Sequence, residues 1–395
     1  MTKITLASIL FSCLFSMSSF AQQQTANDGI IPFKLDGHIY LPSDIDGGHT
    51  ANLLFDTGAS GQLLVDTLYM QEQKWQLKDL KQAKMRGANG ITMVDVSWKD
   101  HTVKNGRVTT TFPYLVLLGV RDILGKHADG IVGSKDFDST PYEINYQYHF
   151  MRKLTAIPDS VKQLYKCIPL VVEDGKYMFK AKVWFDGKCI EGLYNIDTGS
   201  GNAIDFTAET TQKYALQEYK GITHTGHGLQ MGVGDEKIAN WIDAQADSMQ
   251  LGSFTISNPE ITLNPAGKGA FEKNVFVGNI GAGILSNFNF VFDLANEKLY
   301  CRNFKEYEPS EKSYGIGWLN RTDICKGWIV RTLYDDSPAD KAGIKLGETI
   351  IEVGGKKVDD YSWDEEMKLS NDSITIVLNT KNGKRTVTLA KKKLY

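Results

Sequence analysis

The chain has 395 residues, enough for two or three domains at roughly 100–200 residues each, and its 42% hydrophobic and 23% charged residues are those of an ordinary globular protein. A formal net charge of −3 gives no electrostatic footprint for nucleic acid. The tight cluster Lys391-Lys392-Lys393 reads as a solvated edge or tail rather than a binding patch.

In chain order, MTKITLASILFSCLFSMSSFAQQQ comes first, with Lys3, an apolar run from Ile4 to Phe20 and a small-residue end at Ser19-Phe20-Ala21. This layout predicts a secretory signal peptide over 1–21, cut after Ala21. An uncleaved anchor fits less well, because a span needs about 20 apolar residues and serines interrupt this run. Leu10-Phe11-Ser12-Cys13 faintly resembles a lipoprotein cleavage site, which would tether the chain at Cys13. The expectation is therefore an exported protein, periplasmic or secreted, with no transmembrane span after the leader is removed. Cys167, Cys189, Cys301 and Cys325 would then remain. Export permits disulfides, but four cysteines allow three pairings and their spacing selects none; it is not that of a zinc site either.

The next informative stretch is LLFDTGASGQ at 53–62, an apolar run ending in Asp56 and a turn of small residues. Alone it is compatible with a simple turn. At 193–202 the chain reads LYNIDTGSGN, so Asp197 repeats the pattern 141 residues later. The repeat extends upstream: IPFKLDGHIYLPSDIDGGHTANLLFDTG and IPLVVEDGKYMFKAKVWFDGKCIEGLYNIDTG each read as an Ile-Pro strand, a turn, a second strand, an Asp-Gly or Gly-Gly turn, then the acid. Downstream each copy has a glycine-punctuated apolar tract, ADGIVGSKDF at 128–137 and VGNIGAGILSNFNFVFDLANEKLY at 277–300. Internal duplication of two all-β lobes is the expectation.

Paired Asp-Thr-Gly motifs with a later apolar-apolar-Gly element resemble aspartic peptidases, specifically the bacterial retropepsin-like branch. The resemblance covers roughly residues 28–305. It implies two similar retropepsin/pepsin-like β lobes, 28–160 and 161–305, forming an active-site cleft with Asp56 and Asp197 as catalytic dyad. Two carboxylates held together share one proton, so one acts as base on a water while the other polarises the scissile carbonyl. Gly58 and Gly199 would let backbone N–H groups approach the acids. By the same resemblance, Thr57 and Thr198 would bond across the lobe interface and fix the loops. Ser60 and Ser200 read either as rim hydrogen-bonders or as turn residues. Asn195, in an apolar approach, needs a partner if buried. RGANGITM at 86–93 and HTGHGLQMGVG at 224–234 stand where flap hairpins are expected, and His224 and His227 read as polar flap residues rather than metal ligands. The pattern departs at Ile284-Leu285-Ser286, where serine replaces the glycine seen in Ile131-Val132-Gly133. No metal and no cofactor is implied. One chain supplies both acids, so a monomer is sufficient.

After the polar linker 306–312 the pattern changes. Ser337-Pro338 fits a helix start and Gly343 a helix stop, and Ser362 with Glu365 suits a capping box, with Trp363 and Met367 facing a groove. SPADKAGIKLGETIIEVGGKKV resembles PDZ domains of exported bacterial proteases. That implies a small α+β PDZ domain over 313–395, whose carboxylate-binding loop would be Gly315, Ile316, Gly317 and Trp318, receiving substrate or partner C-termini by strand addition. A purely structural cap on the second lobe is the other reading. For the whole chain the expectation is an exported aspartic endopeptidase acting on peptides or proteins. The alternative is an inactive peptide-binding scaffold of the cell envelope. A serine hydrolase has no G-x-S-x-G support.

Overall fold

The structure, a computed structural model, describes residues 29–393 except Ser60, 136–139 and Glu311. The signal-peptide reading of 1–21, the tether at Cys13 and the reading of Ser60 lie outside the described residues. Most of the regular structure is strand, and among the described residues no helix exceeds six residues or is long and apolar enough to cross a membrane. The chain is all-β in its bulk.

In the first half, β1 (His38–Ile45) and β2 (His49–Asp56) form a hairpin. Asp46 and Gly47 turn it with positive φ, a conformation that Asp and Gly tolerate. A 3-10 turn over Thr57–Ala59 leads to the wholly buried β3 (Leu63–Asp66). Asp66 then caps α1 (Thr67–Glu72) by accepting from Leu68 and Tyr69 N–H. A second hairpin follows, β4 (Lys81–Gly87) with β5 (Gly90–Ser97). Next, β6 (Leu115–Leu118) runs parallel to β3, and β7 (Gly130–Gly133) inserts between β3 and β2.

The second half has the same order and the same pairings. The hairpin β8 (Lys176–Phe185) and β9 (Lys188–Ile196) turns at Asp186-Gly187. Then come β10 (Ile204–Phe206), α2 (Ala208–Lys213) capped by Thr207, and the hairpin β11 (His224–Leu229) with β12 (Ile238–Gln245). β13 (Glu260–Leu263) runs parallel to β10, and β14 (Gly278–Ile280) inserts between β10 and β9. The helix α3 (Ala282–Leu285) follows. A six-stranded sheet takes strands from both halves and joins them where Tyr142–Asn145 pairs with Phe288–Asp293. Every residue of the latter strand is buried, and one apolar core runs through both halves.

The C-terminal unit contains β15 (Ile316–Asn320), β16 (Trp328–Tyr334), α4 (Pro338–Lys341), β17 (Thr349–Val353), α5 (Trp363–Met367), β18 (Ser373–Thr380) and β19 (Gly383–Ala390). Its core is separate and centres on Trp328, Val330, Ile350 and Ile376. Ser337 caps α4 with Pro338 in the first turn, Gly343 follows at φ +72°, and Ser362 and Glu365 form a capping box on α5. Lys392–Lys393 pair with Lys312–Ser313 as a short edge ribbon.

This unit is attached to both halves. β16 pairs antiparallel with β11, with Gly226 opposite Tyr334 and Gly228 opposite Thr332. Trp363, expected on a groove face, is instead packed on the first half: it stacks on His127 at 4.5 Å, meets Tyr40 edge-on at 5.1 Å and donates to Asp36 at 2.6 Å. An aromatic with one N–H gains more from a buried acceptor than from an open groove. Beside it, Lys126 N–H donates to the Asn320 carbonyl at 2.9 Å, and Arg321 pairs with Asp122. None of the four cysteines is in a disulfide.

Candidate active site

Asp56 ends β2 and Asp197 directly follows β9, so each acid is aimed by a buried strand. The two turns face each other closely. A Cβ on Gly58 would lie 2.9 Å from Asp197 Oδ1, and one on Gly199 only 2.4 Å from Asp56 Cγ. Glycine is thus required at both positions by the approach of the opposite carboxyl. Gly58 N–H donates to Asp56 Oδ1 at 2.6 Å and Gly199 N–H to Asp197 Oδ1 at 3.0 Å.

Thr57 and Thr198 lock the turns together. Thr57 N–H donates to Thr198 Oγ1 at 3.0 Å, and Thr198 N–H to Thr57 Oγ1 at 3.1 Å. Each hydroxyl in turn donates to the other half's strand: Thr57 to the Ile196 carbonyl at 2.6 Å and Thr198 to the Phe55 carbonyl at 2.9 Å. Both threonines are buried. Four bonds away from water leave little freedom to the spacing of the two acids.

Burial, and then the charge of Asp197, push the Asp56 carboxyl up to about 7. Burial also raises Asp197, opposed by the Lys176 ammonium, by the Gly199 N–H and by a hydrogen bond from Asp56. The direction is therefore a protonated Asp56 donating to an anionic Asp197. Lys176 reaches the site by donating to the Gly58 carbonyl.

Asn279 adds an asymmetry. Its Nδ2 donates to Asp197 Oδ2 at 2.6 Å, while its Oδ1 accepts from Asn195 Nδ2 at 3.1 Å. Asn195 is buried and thus has its partner, although its own Oδ1 has none. The register shows what Asn279 replaces: Ile131 lies opposite Leu54 in the first half, and Asn279 opposite Asn195 in the second. The same register corrects the serine departure. The counterpart of Ile131-Val132-Gly133 is Asn279-Ile280-Gly281, whereas Ile284 and Leu285 belong to α3 and Ser286 to its C-cap. A Cβ on Gly133 would come 2.1 Å from the Ala59 carbonyl, and one on Gly281 2.4 Å from the Asn202 carbonyl. Both halves keep the glycine.

Ser200 is turned away from the cleft rim, donating to Asp205 Oδ2 at 2.8 Å; Asn202 binds the other oxygen at 2.6 Å. His38 lies beside Gly201, with ring atoms 3.6–3.7 Å from the position a Cβ there would take. Burial lowers its pKa despite the neighbouring acids Asp36 and Asp197, so it is neutral next to the dyad.

The two expected flap segments form the second hairpin of each half, and their tips meet. Asn89 N–H donates to the Val233 carbonyl at 2.9 Å and Asn89 bridges Gly234. Arg86 donates to the Gly269 carbonyl at 2.6 Å. His227 places its ring nitrogens on Asn240 and Asp335 at 2.6 and 2.9 Å; among the described residues no group of three or more His, Cys, Asp or Glu is arranged to hold a metal.

The other predicted site residues stand apart from the dyad, in the C-terminal unit. Gly315 turns at φ +73° and its N–H is taken by Ser313 Oγ at 2.9 Å. Ile316, Gly317 and Trp318 open β15, which among the described residues has a strand partner on one side only. A cleft of about 550 Å³ between this unit and the first half is lined by Arg121, Lys126, His127 and Asp323 and by no dyad residue; Arg121 is committed there to Glu72, Asp129 and Asp323.

His38, Lys176 and Asn279 carried no sequence signal, since each is brought to the acids by register or by another strand. Comparison with known proteins finds no family model and no curated sequence that matches the chain.

Proposed function

We propose that the chain is an aspartic endopeptidase of the retropepsin-like kind. Residues 28–160 and 161–305 would be its two lobes, and 313–395 a PDZ domain joined through the linker 306–312. The observation that carries this reading is the pair of facing acids, Asp56 and Asp197, held by four threonine bonds across the two halves. A water between them loses a proton to anionic Asp197 as its oxygen bonds to the scissile carbonyl carbon. Asp56 gives its proton to the carbonyl oxygen, producing a tetrahedral diol. On collapse the leaving nitrogen takes the proton held by Asp197, the C–N bond breaks, and a diol proton returns to Asp56. The hairpin tips that meet at Asn89 and Gly234 would part to admit a peptide and close to exclude bulk water.

The PDZ reading rests on β15, an edge strand preceded by a positive-φ glycine turn. Such an edge can add a strand from a protein C-terminus, and the Lys126 contact at Asn320 limits how far that strand can run.

The test is product mapping by mass spectrometry on a peptide mixture, with wild type beside Asp56→Asn and Asp197→Asn. Cuts made by wild type and lost in both variants support a peptidase. Unchanged cleavage by either variant overturns it, and saturable binding without products assigns the chain to the scaffold reading.

A further inference from the structure

Besides the acids, the duplication brings a second pair of equivalent residues to the site. In the hairpin of β1 and β2, Tyr40 lies opposite Leu54; in that of β8 and β9, Met178 lies opposite Asn195. Leu54 and Asn195 each stand two residues before an acid. His38 and Lys176, two residues before Tyr40 and Met178, therefore occupy matching places, each at the start of the strand that flanks the acid strand. Both follow a tight turn, in which Asp36 pairs with His38 and Glu173 with Lys176. Each turn carries a positive-φ glycine, Gly37 at +64° and Gly175 at +69°, a conformation that glycine adopts without steric cost.

Both side chains cross to the other half. The His38 ring lies against the Asp197 turn, 3.6–3.7 Å from where a Cβ on Gly201 would be, and Lys176 Nζ donates to the Gly58 carbonyl in the Asp56 turn. Gly58 is where the two acids meet: its N–H donates to Asp56 Oδ1 at 2.6 Å, and a Cβ on it would lie 2.9 Å from an oxygen of each acid. The ammonium is thus fixed one hydrogen bond from a residue that meets both carboxyls. The matching places hold unlike groups. His38 is neutral, whereas Lys176 brings a full charge, and that charge favours ionisation of either acid. Other charged groups acting here are Asp36 and Arg331, felt at His38, and Asp205 on the Asp197 side, where Ser200 and Asn202 hold it.

We propose that Lys176 is the positioning residue that sets the pH range of the dyad: it anchors the Asp56 turn through the Gly58 carbonyl and holds one positive charge against whichever carboxyl is ionised. Each proton lost from the pair adds one negative charge beside the same ammonium. Loss of the cation should therefore move both proton losses to higher pH together. This separates Lys176 from Asn279, whose hydrogen bond is to Asp197 alone. The proposal deepens the peptidase reading, on which one of its two assays rests.

The experiment compares the full chain with Lys176→Gln, which keeps a donor for the Gly58 carbonyl and drops the charge, and with Lys176→Arg, which keeps both. Each is followed against pH in two ways. One is kcat/KM for peptide cleavage; the other is the carboxyl resonance of carbon-13-labelled aspartate, assigned with Asp56→Asn and Asp197→Asn. Lys176→Gln is expected to raise both limbs of the cleavage profile, and both titrations of the pair, by about one to two units. Lys176→Arg should leave all of them in place. Limbs and titrations that do not move in Lys176→Gln overturn the proposal and leave only a tie to the Gly58 carbonyl. So does a shift in Lys176→Arg as large as that in Lys176→Gln, or a shift of one limb alone. If wild type cuts no peptide, the carboxyl titrations decide: their upward shift in Lys176→Gln keeps the role of Lys176 while the peptidase reading falls. Cleavage whose limbs ignore Lys176→Gln sinks the role of Lys176 alone.

Discussion

Replacing Asn279 with Ile writes into the second half the residue that the first half has at the same register position. The change removes the 2.6 Å hydrogen bond to Asp197 Oδ2. A hydrogen bond to a charged group contributes about 1.5–3 kcal/mol, equivalent to about one to two pKa units on the carboxylate that accepts it. With the shared proton on Asp56, Asp197 is anionic both in the singly protonated pair and in the fully ionised one. Loss of the donor then penalises both forms equally, relative to the doubly protonated pair. The acid limb of a kcat/KM profile should move up by about one to two units, while the alkaline limb, set by Asp56 near 7, stays in place. Both limbs are properties of the pair, and what is diagnostic is that only one moves. The single variant also strands Asn195 Nδ2 in the core, at about 1–3 kcal/mol of stability. Asn195→Leu combined with Asn279→Ile removes that complication, since Leu54 and Ile131 already face each other in the first half. The assay is a pH profile of peptide cleavage for wild type, single and double variants. Limbs that shift together, or an acid limb that does not shift, would refute the assignment of the proton to Asp56.

Thr57→Val leaves Thr198 N–H and the Ile196 carbonyl unpaired in the core and should lower stability by about 2–5 kcal/mol in urea unfolding, whereas Thr57→Ser should recover most of it. Gly234→Val would place Cβ only 2.0 Å from the Asn89 carbonyl, so hydrogen exchange should quicken in both hairpin tips together; exchange confined to one tip would count against their contact. Stability should fall as pH rises from 4 toward 7. Asp56, ordinarily near 3.8, keeps its proton in the folded state up to about 7, so the native chain binds more protons than the unfolded one over that interval. Asp205 and Glu260, also pushed up to about 7 by burial, act with the same sign, so Asp56→Asn should flatten the slope without abolishing it. Trp363→Ala should loosen the C-terminal unit from the first half by removing the His127 stack and the Asp36 bond, detectable as faster proteolysis around 304–312.

The parts of the fold legible in the sequence are those governed by neighbouring residues. Asp-Gly turns mark both hairpins that end in the acids, and Ser337-Pro338 and the Ser362/Glu365 box mark helix starts, because turn and cap chemistry acts over a few residues. What escaped depends on register between distant strands. An apolar-apolar-Gly pattern picks out Ile131-Val132-Gly133 but slides past Asn279-Ile280-Gly281, since the residue that bonds to Asp197 is the one that interrupts the pattern. Trp363 escaped for a related reason: a cap predicts where a helix begins, but the surface its first residue meets belongs to strands some 320 residues earlier. Two copies of one β pattern are enough to bring two acids together.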